Sequence, residues 1–194
     1  MNQIKPEQLD FNPFDKFGNQ TALVCARKDD KYNMCTIAWG TIGKLWSKNV
    51  AIVYVKPIRF TDRFLKADDY FTITFLNDEH KNDLIYCGTK SGKHVNKMNI
   101  PTLRPIKLEN GITFEGYETV FVLKKIYAGK FKKANFHKSD EIYNHYYSSE
   151  RPHNVYIGEI VDIIQKIAQE QYPMLFFWFK FSYLNFYIQL ISLT

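Results

Sequence analysis

Three short segments of this chain carry the residue types that hold a flat, phosphate-bearing ligand. The first is Asn33-Met34-Cys35-Thr36-Ile37-Ala38-Trp39-Gly40. The second is Val55-Lys56-Pro57-Ile58-Arg59-Phe60-Thr61, and the third is Cys87-Gly88-Thr89-Lys90-Ser91-Gly92-Lys93. Two of them set a cation beside hydroxyl or glycine donors, which is the chemistry of a phosphate seat. The first offers a hydroxyl, a strand edge and an indole. Those groups suit an aromatic ring system held between apolar walls.

Each segment also has a plainer reading. Arg59 and Thr61 follow Pro57 and precede a predicted helix, so guanidinium, hydroxyl and helix-end dipole can converge on an anion. Equally, Thr61 or Asp62 caps that helix and Arg59 faces water. Gly88 and Gly92 permit close backbone approach to a ligand, with Ser91 as a donor, or residues 89–97 form an ordinary polar loop. Ile37 and Trp39 line a site or fill the core. Cys87, at a predicted helix end, is a buried thiol or a reactive one. No Walker or G-x-G-x-x-G pattern occurs. The five histidines are scattered without metal-ligand spacing. No Ser/His/Asp or Cys/His arrangement is legible.

The elements that must position these residues are mostly short strands. Alternation and β-branched residues predict strands over 21–28, 33–39, 50–55, 70–76, 119–127 and 155–164. Shorter strands are predicted over 102–105 and 112–118, around the turn Asn110-Gly111. Helices are predicted over 62–67, 79–87 (ending at Gly88) and 139–146. Residues 1–20, rich in Pro, Asn and Gly, are expected to wrap the surface. Helices interrupt the strands without regular β-α-β alternation. That predicts a mainly β fold, an antiparallel barrel with helical insertions, over a doubly wound sheet.

The 194 residues are 45% apolar, enough for one domain with a sizeable core. The net charge is +6, but the lysines are spread out, so a solvated basic surface is expected rather than a nucleic-acid footprint. Three cysteines form no metal or disulfide framework, which points to buried thiols in a reducing compartment, the cytoplasm. The N-terminus lacks an apolar signal core. Residues 1–170 read as one domain and 171–194 as an apolar tail. Residues 174–194 carry one charge, Lys180, and are long enough to resemble a membrane span. Lys180, Asn185 and Gln189 inside that stretch, and no basic cluster after it, argue against spanning. The expectation is a tail covered by the domain or a partner. A membrane-associated tail and an accidental end are the alternatives.

Taken together, the segments resemble the flavin reductase-like family, whose fold is the FMN-binding split barrel; the flavoredoxin type is the most similar. The resemblance runs over about residues 10–165. It rests on the three segments above and on Asp69-Tyr70-Phe71-Thr72-Ile73, Asn96-Lys97 and Val155-Tyr156-Ile157-Gly158-Glu159-Ile160, in that order and spacing. Cys35 and Ala38 depart from the family's usual first segment, and the resemblance does not reach 174–194. It implies non-covalent FMN, a homodimer with cofactor sites near the subunit interface, and either NAD(P)H-dependent flavin reduction or electron transfer with a redox protein. It implies that Thr36, Ile37, Ala38 and Trp39 lie along the isoalloxazine. Arg59, Thr61, Ser91, Gly92 and Lys97 would hold the phosphate. Asn33, Met34, Cys35 and Cys87 complete the implied cofactor-binding set. Such chemistry needs no side-chain nucleophile, because the protein mainly positions two rings.

Overall fold

The computed structural model describes residues 1–137, 140–149 and 151–166. Ser139 and the apolar stretch 174–194 lie outside the described residues. Among the described residues, no helix is long and apolar enough to cross a membrane.

Two hairpins frame the first segment. Strands β1 (Ala22–Lys28) and β2 (Lys31–Ile37) turn at Asp29, which adopts a positive φ of 56° that Asp tolerates better than bulkier residues. Strands β3 (Gly40–Leu45) and β4 (Lys48–Val55) turn at Trp46-Ser47, both left-handed at φ 50° and 59°. That double positive φ matches the twist a two-residue hairpin needs. Sequence reading misses β3 altogether. Its two glycines break the apolar alternation, only Ile42 packs partly against the core, and the strand is held by pairing to β4.

The chain continues through α2 (Thr61–Ala67), β5 (Tyr70–Leu76), α3 (Lys81–Thr89), β6 (Pro105–Leu108), β7 (Gly111–Phe114), β8 (Tyr117–Lys130), α4 (Asp140–Tyr147) and β9 (Asn154–Gln165); α1 (Pro13–Gly18) precedes them all. The turn between β6 and β7 falls at Glu109-Asn110, one residue earlier than expected, and residues 117–118 belong to β8. Neither Thr61 nor Asp62 caps α2: Phe60 stands at the cap, and both polar side chains turn inward to other partners. Gly88 sits inside α3 rather than ending it.

Seven strands form one antiparallel sheet in the order β2-β1-β5-β8-β9-β4-β3, with β6-β7 as a separate hairpin. The two outermost strands, β2 and β3, are neighbours in sequence, joined by Ala38 and Trp39 alone. Two residues span about 7 Å of extended chain. The sheet must therefore curl until its edges meet at that corner. It remains split elsewhere, and no closed barrel forms.

The curled sheet buries Val24, Ile37, Val53, Phe71, Phe75, Phe121, Leu123 and Tyr156 inside. Phe11 and Phe17, from the segment expected to wrap the surface, pack edge-on against Phe75 and plug one end. A second cluster on the outer face holds Leu23, Cys25, Met34, Leu84, Cys87, Leu103 and Phe114. Both faces of β1 and β5 are thus covered. This explains why Thr72 and Thr74, which alternate with apolar residues, are also buried. The Thr72 hydroxyl donates to the Ile112 carbonyl at 2.6 Å, and Thr74 meets the Thr113 hydroxyl at 2.9 Å.

All three cysteines are buried and unpaired by disulfide. Burial raises the pKa of each thiol, that of Cys87 from 9.0 to about 11. The folded chain keeps a proton at Cys87 that the unfolded chain releases near pH 9, so this group's contribution to stability falls as pH climbs from 9 towards 11. The native protein is expected to resist thiol alkylation between pH 7 and 9 and to label at three sites once denatured. Rapid native labelling at Cys87 would contradict this burial.

Candidate functional site

A cleft of about 250 Å³ opens where the edges of the split sheet approach. One wall is the end of β2 and its exit: Cys35, Thr36, Ile37, Ala38 and Trp39. The other is the end of β4: Tyr54, Val55 and Lys56. Arg59 follows, and Gly88 of α3 and His153 close the ends. Six of the residues expected at the site, Cys35 through Trp39 and Arg59, are thus brought together.

The edge of β2 matters here. The Met34 carbonyl accepts a hydrogen bond from Lys97 Nζ, so it points away from β1. Strand geometry repeats every two residues, which puts the N–H and C=O of Thr36 on the same outer edge, towards α3 and the cleft. The Thr36 hydroxyl donates to the Leu84 carbonyl and pins α3 to that edge. A Cβ at Gly88 would lie 3.3 Å from Thr36 Cβ, so a side chain there would push helix and strand apart by a few tenths of an ångström.

Two cations meet the last turn of α3. Arg59 Nη1 donates to the Gly88 carbonyl, and Lys97 Nζ donates to the Cys87 carbonyl at 2.7 Å as well as to Met34 at 2.9 Å. Positive charge there complements the negative end of the helix. Lys97 is buried, and burial pushes its pKa below the usual lysine range, with nearby Arg59 adding to the shift. Neither cation is paired with a carboxylate among the described residues.

The remaining expected residues do not line this cleft. The buried Thr61 hydroxyl donates to Asn33 Oδ1 at 2.8 Å. Asn33 and Gly92 border a neighbouring groove of about 510 Å³ with Phe60, Phe64 and His94. A Cβ at Gly92 would lie 2.4 Å from Asn33 Nδ2 and 2.7 Å from Phe60, so the Ser91-Gly92 turn abuts the segment that carries Arg59. Ser91 Oγ accepts from the Lys93 N–H at 3.3 Å. Cys87 and Met34 are core residues.

A buried carboxylate holds the Arg59 turn in place. Asp62 Oδ1 accepts from Tyr156 Oη and from Asn154 Nδ2, both at 2.6 Å, and Oδ2 accepts from Lys66 Nζ at 2.6 Å. The network ties α2 to β9. Burial, then the Asp62 carboxylate, push the Tyr156 phenol far above the usual tyrosine range.

Sequence reading missed the aromatic flank. Trp39 meets His153 at 5.3 Å and Tyr146 of α4 at 5.3 Å, and Tyr147 Oη meets His153 Nδ1 at 3.0 Å. Phe131 stacks on Tyr54 at 5.6 Å. Apart from Tyr54, these residues are distant in sequence from the first segment, and the pairing of β9 with both β4 and β8 brings them to it. The one available signal was His153, which lies two residues before the Val155-Tyr156-Ile157 segment.

No family model and no curated protein sequence matches this chain. Solved structures do. Over 78% of this chain and 69% of its own length, a flavoredoxin from Methanosarcina acetivorans superposes with a TM-score of 0.61 at 16% identity. The fold is the split barrel of the flavin reductase-like proteins. An FMN-binding protein from Thermus thermophilus shares that split barrel at TM-score 0.59 and 21% identity, over 85% of this chain and 78% of its own. The FMN-binding domain of a flavin reductase-like enzyme from Shewanella baltica matches at TM-score 0.59 and 14% identity, over 84% and 75%. At these identities the likeness establishes the split barrel, and the site must be argued from its own residues.

Proposed function

We propose that the chain binds FMN non-covalently in the cleft between β2, β4 and α3, and serves as a flavin reductase-type oxidoreductase moving electrons between NAD(P)H, FMN and an acceptor. The observation that carries this reading is the meeting of residues 35–39 with the Arg59 guanidinium in one cleft at the split of the sheet. The residues fit the group. Ile37, Ala38 and Val55 offer apolar walls, and Trp39 offers a planar one. The outer edge of β2 presents the Thr36 amide to a ring's polar rim. Arg59, without a carboxylate partner among the described residues, supplies the charge a phosphate needs.

When bound, FMN supplies redox chemistry that none of these side chains has. The chain's own work is to hold and orient. Thr36 and Lys97 fasten α3 to β2 and so keep the cleft's end at Gly88. Thr61 fixes Asn33, and the Ser91-Gly92 turn supports the phosphate side next to Phe60. We assign Cys35 through Trp39 and Arg59 direct contact, Ser91 and Gly92 a place beside the phosphate, and Asn33, Met34, Thr61, Cys87 and Lys97 the positioning of those contacts.

A second reading is a flavoredoxin-like electron carrier without its own NAD(P)H site. The cleft volume favours it: about 250 Å³ is below the roughly 300–1,000 Å³ of typical ligand pockets and leaves little room for a second ring. The absorbance spectrum of the purified protein tests both. A bound-flavin spectrum is expected, and a colourless protein that takes up no added FMN would overturn them together. NAD(P)H oxidation with free FMN supports the reductase, and its absence in a yellow protein supports the carrier. We take the assembly to be a cytoplasmic homodimer, which suits three free thiols. Sedimentation of the same yellow sample reads its state, and a monomer at micromolar concentration counts against the dimer.

A further inference from the structure

The cleft and the neighbouring groove lie end to end along β2. Residues 35–39 border the cleft, and residues 31–33 border the groove of about 510 Å³. From Ile37 back to Lys31 the strand spans about 20 Å. The phosphate seat proposed above stands at the junction. Arg59 lines the cleft, and the next residue, Phe60, lines the groove together with Gly92. A ligand whose ring fills the cleft and whose phosphate meets Arg59 therefore has the groove ahead of it.

The groove has a chemistry of its own. Its volume falls within the roughly 300–1,000 Å³ of ligand pockets. Tyr32, Phe60 and Phe64 line it with aromatic rings, on which a flat base packs. Asn33 is 5% exposed, and its Oδ1 accepts from the Thr61 hydroxyl at 2.8 Å. That leaves Asn33 Nδ2 as a donor without an acceptor among the described residues. A Cβ at Gly92 would stand 2.4 Å from this Nδ2, so the bare backbone keeps the space before the donor open. Lys31, Lys93 and His94 stand exposed at the rim, against one acid, Asp30. Neither lysine is paired with a carboxylate among the described residues.

We infer that this groove seats the adenylate half of a dinucleotide, with its base against the aromatic rings and its phosphate between Arg59 and the two lysines. The seat rests on the cofactor reading above for the ligand that enters from the cleft. Each part of an adenylate finds a counterpart. The ring nitrogens of adenine accept hydrogen bonds, which Asn33 Nδ2 can donate. The added phosphate carries charge that Lys31 and Lys93 complement. Two molecules bring this half: FAD, which is FMN extended by an adenylate through its phosphate, and NAD(P)H.

Calorimetry tests it in two arms, FMN and FAD titrated into the flavin-free full chain, and NADH titrated into the FMN-loaded chain. AMP alone probes the groove, read by NMR of the Tyr32 and Phe60 rings, and saturable shifts of both are expected. If the adenylate is that of FAD, FAD binds about tenfold or more tighter than FMN. The exposed double change Lys31→Gln, Lys93→Gln then removes most of that advantage, with FMN affinity held within about twofold and an unchanged circular dichroism spectrum. If it is that of NAD(P)H, the double change instead weakens NADH on the FMN-loaded chain about tenfold. Rings that AMP leaves unmoved, or FAD and NADH both indifferent to the double change, overturn the proposal. FMN bound normally in that case leaves the cofactor reading standing. A chain that takes up neither flavin yet binds AMP at these rings defeats the cofactor reading and leaves the adenylate seat.

Discussion

Arg59→Ala is expected to weaken FMN binding about ten- to hundredfold while weakening riboflavin far less. Arg59 reaches the cleft from the turn after β4 and has no carboxylate partner among the described residues. Removing one charge-assisted contact to phosphate costs on the order of 1.5–3 kcal/mol, which is the fold-change just given. The guanidinium also bonds the Gly88 carbonyl, so its loss loosens the end of α3 too. Riboflavin, which lacks the phosphate, isolates that structural part. Titration of both ligands by flavin fluorescence is the measurement. Equal losses would mean that Arg59 only caps the helix.

The largest expected loss of stability follows Asp62→Ala. The carboxylate is 2% exposed and receives hydrogen bonds from Tyr156, Asn154 and Lys66. Tyr156 is 1% exposed, so its hydroxyl would be left buried without this acceptor. Losing the acceptor of such a network costs about 3 kcal/mol, or roughly 6–12 °C in melting temperature for a chain of this size. Thermal unfolding followed by circular dichroism checks it. Tyr156→Phe with Asp62 intact removes one donor and should cost less, about 1–2 kcal/mol. A variant Asp62→Ala that melts with the wild type would show that Lys66 and water already satisfy these groups.

The two cases differ in how visible they were beforehand. Arg59 announces itself in sequence, because a cation after a strand-ending proline and before a helix is a recognisable pattern. Asp62, three residues later, reads as a helix cap. It is instead the acceptor of a network reaching β9, more than ninety residues on. Gly92 shows the same limit. Its need for a bare backbone was legible, but the close approach is made to the chain's own Asn33 and Phe60. Lys97 looked like a phosphate ligand, yet its ammonium is taken by two carbonyls.

What the amino-acid order determined by itself was local. Alternating apolar residues specify most of the strands, polar and glycine-bearing links separate them, and the Cys35-Thr36-Ile37-Ala38-Trp39 and Arg59 segments supply the hydroxyl, indole and guanidinium that line the cleft. β3 escaped because its two glycines interrupt the alternation and leave only Ile42 packed against the core, so the strand is held by pairing with β4. The tertiary structure alone decided that β2 and β3 end up at opposite edges of one sheet. Because only Ala38 and Trp39 join them, the sheet has to curl, and the cleft is the seam that the curl leaves. It also brought Tyr54, His153 and Tyr146 around Trp39. Those contacts depend on strand order, a cooperative outcome of burying both faces of β1 and β5, and no short stretch of sequence encodes it.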